Sequence, residues 1–395
     1  MISKMTTRYR VLVLFLEDCV SALIFLLLVW FSFTLGGREP DGVWRALKHP
    51  QIQRHIVQNV LVPVVKALLM AAVYFFLPSM AMRLFELVGE AHADGKEELA
   101  EIRFHKLRPL LPRLMSSLNE AQWLQLLLFW ENYGIGPLPC SNAKQAQALT
   151  AALAAPQCPT TSLNLSANQW TPGWVVGLAT SLRSKTCQVT TLGLSDNSVG
   201  EIGAEALADW LKDAGNKIQG LILRNCEMGP SGCNRLTEAL VLPHCRVIHL
   251  ALSANFVSTE SAECLAQAMQ REGNAIAHLE LASCDLKDDG CAAILRGLAP
   301  PHSKVTTLVL SGNSCGLSSA EAITEVLARP GQTLRHLNLS QCELKPIVVQ
   351  RLGSAAETPD FQLRTLDLSG VGPLGKAYEA FQRAQRKHTW FILKR

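Results

Sequence analysis

LGLSDN at residues 192–197 is followed by LILRNC at 221–226, LALSAN at 250–255 and LELASC at 279–284. The first leucines of these segments, at positions 192, 221, 250 and 279, recur with a constant 29-residue period. The same L-x-L-x-x-(N or C) pattern begins at Leu163, Leu308 and Leu337, and a variant of it begins at Leu366. Eight motifs at equal intervals indicate a stack of repeated structural units.

Each unit has the pattern of a short strand followed by a helix. Leu192 and Leu194 alternate with other residues, so both point to one side of a strand. A helix is predicted in the following stretch, GEIGAEALADWLKDAG at 200–215. Its expected buried positions are Ile202, Ala206, Leu207, Trp210 and Leu211. One such unit cannot bury its own apolar face. Stacked units share a core, with parallel strands inside and helices outside.

Two further columns accompany the leucines. The sixth motif position alternates between asparagine and cysteine: Asn197, Cys226, Asn255, Cys284, Asn313 and Cys342. A cysteine or asparagine also lies five residues before several motif leucines, where we expect the helix to end: Cys158, Cys187, Asn216, Cys245 and Asn274. The period and these columns resemble the leucine-rich repeat family, in particular its ribonuclease inhibitor-like class.

The resemblance implies an α/β fold, a right-handed solenoid shaped as a horseshoe with a parallel inner sheet and outer helices. It covers residues 124–395, about eight 29-residue repeats after a degenerate first unit. LLFWEN from Leu127 is expected to be that first unit, and the unit with Val371 at the asparagine position a terminal cap. For function, the resemblance implies only that the domain binds other proteins.

The N-terminal region, 1–82, has a different composition. Residues 11–35 and 60–82 are dense apolar runs, interrupted by Glu17 and Asp18 in the first and by Lys66 in the second. Cys19–Leu35 is uncharged over 17 residues, or about 26 Å of helix, which just spans a hydrocarbon core. We therefore expect two transmembrane helices that contact membrane lipid. A pair of buried soluble helices is the alternative. Residues 83–123 are expected to form a helical linker and cap, and a degenerate F-box there is a weaker interpretation.

The overall composition excludes some classes of protein. Of the 395 residues, 48% are hydrophobic and 18% charged, against about 25% charged in ordinary soluble chains. A net charge of +4 is too small for a nucleic-acid groove. Disorder and nucleic-acid binding are therefore not expected.

No catalytic, cofactor or metal motif is found in the sequence. Phosphate-binding loops, dinucleotide fingerprints, zinc-protease motifs and nucleophile elbows are missing. Cys226, Cys284 and Cys342 are two repeats apart, or about 10 Å, too far for disulfides or shared metal ligation. Glu101 and His105 are four residues apart and share one helical face; a solvated surface is the favoured interpretation, and a metal site there is the weaker one. We expect no enzyme, no cofactor, no metal and no small-molecule substrate.

Candidate binding residues come from the strand positions that do not face the core. The positions before and between the motif leucines should lie on the concave face, where most residues are small. The charged and polar exceptions cluster toward the C-terminal half and form the candidate partner-binding site: Arg224, His249, His278, Glu280, Arg335, His336, Asn338, Arg364 and Asp367.

The leading hypothesis is a membrane-anchored, non-enzymatic module whose horseshoe binds a protein partner. Because the fold buries many thiols, the repeats are expected to face a reducing, cytosolic compartment. The sequence leaves alternatives open. One is a regulator or adaptor of a catalytic partner, namely an enzyme inhibitor, a GTPase regulator or a ubiquitin-ligase substrate adaptor. Others are a secreted bacterial effector and a structural subunit of a membrane complex.

Overall fold

The computed structural model describes residues 136–299, 302–358 and 361–395, and a few between 115 and 130. They belong to one of two units of the chain, Ala81–Arg395. The predicted membrane spans at 11–35 and 60–82, and nearly all of the linker at 83–123, lie outside the described residues. In the part that is described, no helix is long and apolar enough to cross a membrane.

Short strands and helices alternate along the described chain. The helices are α1 (Ala143–Ala154), α2 (Pro172–Leu182), α3 (Gly200–Leu211), α4 (Gly229–Leu240), α5 (Thr259–Gln270), α6 (Asp288–Gly297), α7 (Leu317–Leu327), α8 (Pro346–Ala356) and α9 (Ala377–Lys387). The strands are β1 (Ser162–Asn164), β2 (Thr191–Gly193), β3 (Gly220–Ile222), β4 (His249–Ala251), β5 (His278–Glu280), β6 (Thr307–Val309), β7 (Ser314–Cys315), β8 (His336–Asn338), β9 (Glu343–Leu344), β10 (Thr365–Asp367) and β11 (Ile392–Lys394).

Nine of the strands form one parallel sheet in the order β1-β2-β3-β4-β5-β6-β8-β10-β11, and β7 pairs with β9. The motif leucines lie in register, so Leu192 is the partner of Leu163 and of Leu221. Leu192 and Leu194 are fully buried. One repeat period therefore equals one strand step of the sheet, and the predicted parallel arrangement of strands and helices is confirmed.

The asparagine and cysteine column is a buried hydrogen-bonded ladder. The amide of Asn255 donates to the carbonyls of Leu223 at 2.7 Å and Leu252 at 2.9 Å, and its oxygen accepts from the Cys226 backbone N–H at 3.0 Å. The Cys226 thiol donates to the Leu194 carbonyl at 3.3 Å. These side chains satisfy backbone groups in the turn after each strand that would otherwise be unpaired. The predicted structural role of the ladder is confirmed.

The residue before each ladder position has a left-handed backbone. The φ values are 58° at Asp196, 51° at Asn225, 58° at Ala254 and 52° at Ser283, and glycine takes the same place at Gly312 with 70°. This conformation costs a non-glycine residue about 1 kcal/mol or more. The ladder hydrogen bonds hold these turns in that geometry.

The helix α3 buries a different stripe from the one predicted. Leu207, Trp210 and Leu211 are buried as expected, whereas Ile202 is 65% exposed and Ala206 is only partly covered. The buried positions include Gly203, where a Cβ would lie 3.2 Å from the Cβ of Val175 on α2. Small residues therefore bring neighbouring helices close together, and the bulky Ile202 lies on the opposite side.

The first unit also differs from the prediction. Leu127 is helical, not the start of a strand, because the buried residues Trp123, Leu126, Leu127 and Trp130 follow a helical i, i+3, i+4, i+7 spacing. The ladder instead begins at Cys140, whose N–H donates to the Asn168 side chain at 2.8 Å, as the N–H of Asn168 does to Asn197. The N–H of Leu138 donates to the Asn164 carbonyl at 2.7 Å, so Leu138 occupies the strand-end position before β1.

Two further details of the prediction need correction. The unit with Val371 is not the last, because α9 and the ninth strand of the sheet, β11, follow it and place Leu393 beside Leu366. The column five residues before the motif leucines lies in the turn after each helix. For example, α3 ends at Leu211 and Asn216 follows in the turn, where its side chain accepts from the Ile218 N–H at 2.7 Å.

Candidate functional site

The candidate residues lie on the sheet face that carries the positions around the motif leucines. We call this surface the open face; its columns are the residues immediately before, between and just after those leucines. Gly193, Gly220 and Ala251 are so small that neighbouring strands bury them. The first charged side chain of these columns is Arg224, two residues after β3, and further charged and polar side chains continue to the C-terminal strands.

Three predicted residues form one ion-paired cluster. Arg224 donates through Nε and Nη2 to Oε2 of Glu280, at 3.0 and 2.6 Å. His249, on the strand between them, lies with Nε2 3.0 Å from the other carboxylate oxygen, Oε1. The cluster therefore spans β3, β4 and β5, and both oxygens of Glu280 are engaged.

The cluster controls the charge of Glu280. Partial burial acts to raise the pKa of this carboxyl, but the hydrogen bonds and charges of Arg224 and His249 outweigh it, and the pKa is lowered. Glu280 is therefore ionised at neutral pH and serves the cluster as a fixed anion. The side chain of Glu280 is 23% exposed and that of Arg224 is 42% exposed, so solvent and a partner can reach both.

His278 extends the cluster through its aromatic ring. This ring meets that of His249 edge to face, with centroids 5.8 Å apart. His278 is exposed, whereas His249 is partly covered. The two imidazoles present a polar, aromatic edge next to the ion pair.

The remaining predicted residues form a second group on β8 and β10. His336 Nδ1 lies 2.7 Å from the Thr365 hydroxyl. Asn338 and Asp367 each accept a backbone N–H from the serine two residues later, at 2.8 and 3.0 Å. These two side chains therefore brace the turns after their strands as well as facing the open face.

The two arginines of this group differ. Arg335 is bonded to the main chain just before β8, where its Nη1 donates to the carbonyls of Gln332 and Leu334 at 3.2 and 3.1 Å. Arg364 is exposed. Burial lowers the pKa of His336, and the charges of Arg364, His278 and Arg335 lower it further. The structure thus separates the predicted site into an ion-paired cluster and a C-terminal group.

Sequence reasoning missed the contact partners within the site. Thr365, the partner of His336, lies 29 residues after it, in the same column and in register. The 29-residue spacing could have predicted this contact, because residues one period apart are neighbours in a parallel sheet. The Arg224–Glu280 contact spans 56 residues and two strand steps, which only side-chain length could have suggested.

The ladder thiols of Cys226 and Cys284 have a structural role. Burial raises the pKa of Cys226 and Cys284 to about 12. Each donates to a main-chain carbonyl of the ladder. They therefore remain protonated and serve the fold. No cluster of three or more His, Cys, Asp or Glu suited to a metal ion occurs within the described residues.

Comparison with curated proteins finds relatives across the repeats. The chain is 29% identical over 246 residues to the NACHT, LRR and PYD domains-containing protein 5 of Mus musculus, and 30% identical over 233 residues to protein 2 of that series in Homo sapiens. It is 29% identical over 214 residues to the ribonuclease inhibitor of Sus scrofa. These matches cover 62%, 58% and 54% of the chain.

The matches cover only part of each relative: 20% and 21% of the two larger proteins and 46% of the inhibitor. No family model matches the chain. These relatives confirm the predicted resemblance to the leucine-rich repeat family and its ribonuclease inhibitor-like class.

Proposed function

We propose that this chain is a non-enzymatic recognition module whose open face binds a partner protein. The observation that carries the proposal is the cluster of Arg224, His249 and Glu280. It places hydrogen-bonding and charged groups on a half-exposed surface where the fold does not require them.

The position of Arg224 supports this interpretation. Six of the eight motifs have serine at its place in the motif. That serine has a structural task, since the hydroxyls of Ser195 and Ser253 accept the backbone N–H one repeat later, at 3.1 and 3.0 Å. Arg224 lacks such a hydroxyl, and its guanidinium reaches over β4 to Glu280. Arginine, with its planar donor fork, is enriched at the centres of protein interfaces.

A pull-down of the full chain from its own cells, read by mass spectrometry, tests the open face. The joint change His278→Ala and Glu280→Ala should remove the specific partner. The joint change Glu263→Ala and Gln267→Ala on the exposed side of α5 is the matched control and should retain it. If both double variants recover the same proteins equally, the open face is not the binding surface.

We further propose that residues 1–82 attach the module to a membrane through spans at 11–35 and 60–82. Residues 83–123 would act as linker and cap and residues 124–395 as the repeat domain. The length of the uncharged run Cys19–Leu35 supports the anchor. The eleven free cysteines of the described residues support a repeat domain in a reducing, cytosolic compartment.

Alkaline extraction of membranes tests the anchor, and protease treatment of intact vesicles with a tag at Arg395 tests the side. The expected results are retention in the pellet and digestion of the tag in sealed vesicles whose cytosolic face is outside. Release into the supernatant would remove the anchor, and a protected tag would place the repeats on the other side.

A second candidate is the regulation of a catalytic partner. The similarity to ribonuclease inhibitor favours this class, because that relative is named for the inhibition of an enzyme. Titration of the purified full chain against a ribonuclease tests the nearest case. Dose-dependent loss of ribonuclease activity would support it, and unchanged activity at saturating concentrations would reject a ribonuclease as the partner.

A further inference from the structure

One margin of the open face has an uneven distribution of charge. It consists of the positions four, two and one residue before each motif leucine, where the strands begin. Across the eight repeats these positions contain three histidines and no aspartate or glutamate. They also contain five cations, which define what we call the basic margin: Lys217, Arg246, Lys304, Arg335 and Arg364.

The cations of the basic margin are accessible. Four of the five are exposed, and Arg335 is partly covered. Lys217 donates to the Cys187 carbonyl and to the Gln188 side chain, and Arg335 donates to main-chain carbonyls. All of these acceptors are uncharged. No carboxylate pairs with any of the five within the described residues, so their charge is not neutralised there.

Several cations elsewhere in the described chain are paired with carboxylates. On the helical side and in its loops, Lys212 pairs with Asp209, Arg235 with Glu238, Arg329 with Glu325 and Arg383 with Glu357, whereas others, such as Arg351, have no carboxylate partner among the described residues. The chain therefore has acidic residues available but does not place them at the strand starts. A row of unpaired cations raises the local concentration of anionic ligands.

The two acids of the neighbouring open-face columns do not offset the margin. Glu280 is engaged on both oxygens by Arg224 and His249. Asp367 lies past the strand start, and one of its oxygens accepts the Ser369 N–H. Burial lowers the pKa of His336, and the positive charges of Arg364 and Arg335 of the margin, together with His278, lower it further.

The spacing of the margin fits an extended polypeptide. Lys217 precedes β3 and Arg364 precedes β10, five strand steps apart in the sheet order. At about 4.8 Å per step the row is roughly 24 Å long, the length of about seven residues of extended chain. An elongated strip of cations at two neighbouring strand-start positions matches a line of carboxylates better than it matches a flat membrane surface.

We propose that the basic margin binds an extended acidic segment of the partner protein. This inference rests on the proposed function and names the chemistry of the partner. Arg364 and Arg335 would form charge-assisted hydrogen bonds with aspartate or glutamate side chains. The Arg224–Glu280 cluster would lie beside the segment and contact another part of the partner.

Binding of a fluorescent poly-glutamate peptide to the purified full chain, measured by anisotropy at low and high ionic strength, tests the proposal. A poly-glutamine peptide of equal length is the uncharged control. Binding of the acidic peptide alone, weakened by salt, is expected. The joint change Arg335→Gln and Arg364→Gln should weaken it about tenfold or more, since two unpaired cations are removed.

Arg351→Gln provides the matched control, because Arg351 is an exposed cation on α8, on the helical side. It should change the affinity less than about twofold. Equal losses in Arg351→Gln and in Arg364→Gln alone would show a general charge effect and overturn the proposal. Binding to phosphatidylserine vesicles but not to the peptide would also overturn it in favour of a lipid surface.

The failure of this proposal can be told apart from failure of the proposed function. If the Arg335 and Arg364 variant keeps the protein partner that the His278 and Glu280 variant loses, only the acidic chemistry is wrong. If neither variant changes the recovered proteins, the open face itself is not the binding surface.

Discussion

Arg224 and Glu280 are 56 residues apart in the chain, yet the guanidinium Nη2 lies 2.6 Å from the carboxylate Oε2. The contact crosses β4, whose His249 engages the second oxygen at 3.0 Å. Two strand steps of the parallel sheet bring the residues close, and the length of the arginine side chain covers the rest. The cluster therefore connects the side chains of three repeats on one surface of the sheet.

The ion pair between Arg224 and Glu280 should make only a small contribution to the free energy of unfolding. In a double-mutant cycle with Arg224→Ser and Glu280→Gln, we expect a coupling free energy of unfolding of about 0.5–1 kcal/mol, because both side chains are partly exposed. Arg224→Ser restores the residue most common in this column. Chemical denaturation of the full chain measures the cycle, and the coupling should fall at high ionic strength. A salt-independent coupling would show that packing, not charge, joins the two residues.

The ladder should be much more sensitive than the open face. Asn255→Ala removes the acceptor of the Cys226 N–H and the donor to two carbonyls. Leaving several buried backbone groups unpaired should lower the free energy of unfolding by about 3 kcal/mol or more. Asn255→Cys keeps a donor, as Cys226 and Cys284 do in the wild type, and should cost less. Denaturation midpoints of the two variants provide the test, and equal losses would contradict a hydrogen-bonding role.

The fold could be predicted from the sequence because one period encodes it. Leu163 and Leu192 are one period apart and are partners in the sheet, and the asparagine and cysteine alternation predicts the ladder. The first unit could not be predicted in the same way. Leu127 fits the motif by type, but Trp123 and Trp130 share its helical stripe, and the true first turn at Leu138 is one residue shorter.

For the candidate site, the sequence predicts which column of the sheet each residue occupies but not which side chains are in contact. The strand period placed His249, His278 and Glu280 on neighbouring strands of one sheet, where the structure brings their side chains together. It could not separate them from Arg335 and Arg364, because contacts depend on side-chain length and direction within the face. The exposed Ile202 has a related cause: helical periodicity predicts a buried stripe but not its rotation about the helix axis, and α3 turns Gly203 rather than Ile202 toward Val175 of α2.

Asp288 should make the stability of the repeats depend on acid pH. Its carboxylate accepts the Gly316, Ser318 and Ser319 backbone N–H groups at 2.8, 3.0 and 2.8 Å, before and within the first turn of α7 in the next repeat. Burial acts to raise the pKa of Asp288, but hydrogen bonds from the Ser319 hydroxyl and from these backbone groups outweigh it and lower the pKa to about 2.

A carboxyl whose pKa is lower in the folded state stabilises the fold above its unfolded pKa, about 3.9, and loses that contribution as pH falls toward 2. Asp288→Asn should therefore lower the free energy of unfolding at pH 7 by about 1–2 kcal/mol. The difference from wild type should shrink between about pH 4 and pH 2. Urea titrations across this range test it. Asp289→Asn, on the exposed neighbour, is the control and should show little effect; a pH-independent loss in Asp288→Asn would contradict the linkage.

Gln332 lies in the column five residues before the motif leucines, where its side chain does not fit the hydrogen-bonding pattern. We expect its replacement by asparagine to stabilise the protein. The residues one and two repeats away from it, Ser303 and Asn274, accept the backbone N–H two positions later, at 3.4 and 2.8 Å. Gln332 is buried, yet neither its amide oxygen nor its amide nitrogen has a hydrogen-bond partner. Its side chain is one methylene longer than that of asparagine, so the oxygen does not meet the N–H of Leu334.

Gln332→Asn should therefore raise the free energy of unfolding by about 1–2 kcal/mol, because it pairs groups that are now buried and unsatisfied. The reciprocal change, Asn274→Gln, should lower it by a similar amount, because it would lose the bond to Ile276 and those from the amide nitrogen to Met269 and His302. Thermal unfolding of both variants compares the two directions. If both changes lower the free energy of unfolding, the pocket around Gln332 requires the larger side-chain volume. If the two changes shift it in opposite directions, the side chain of this column must be short enough to accept the backbone N–H two residues later.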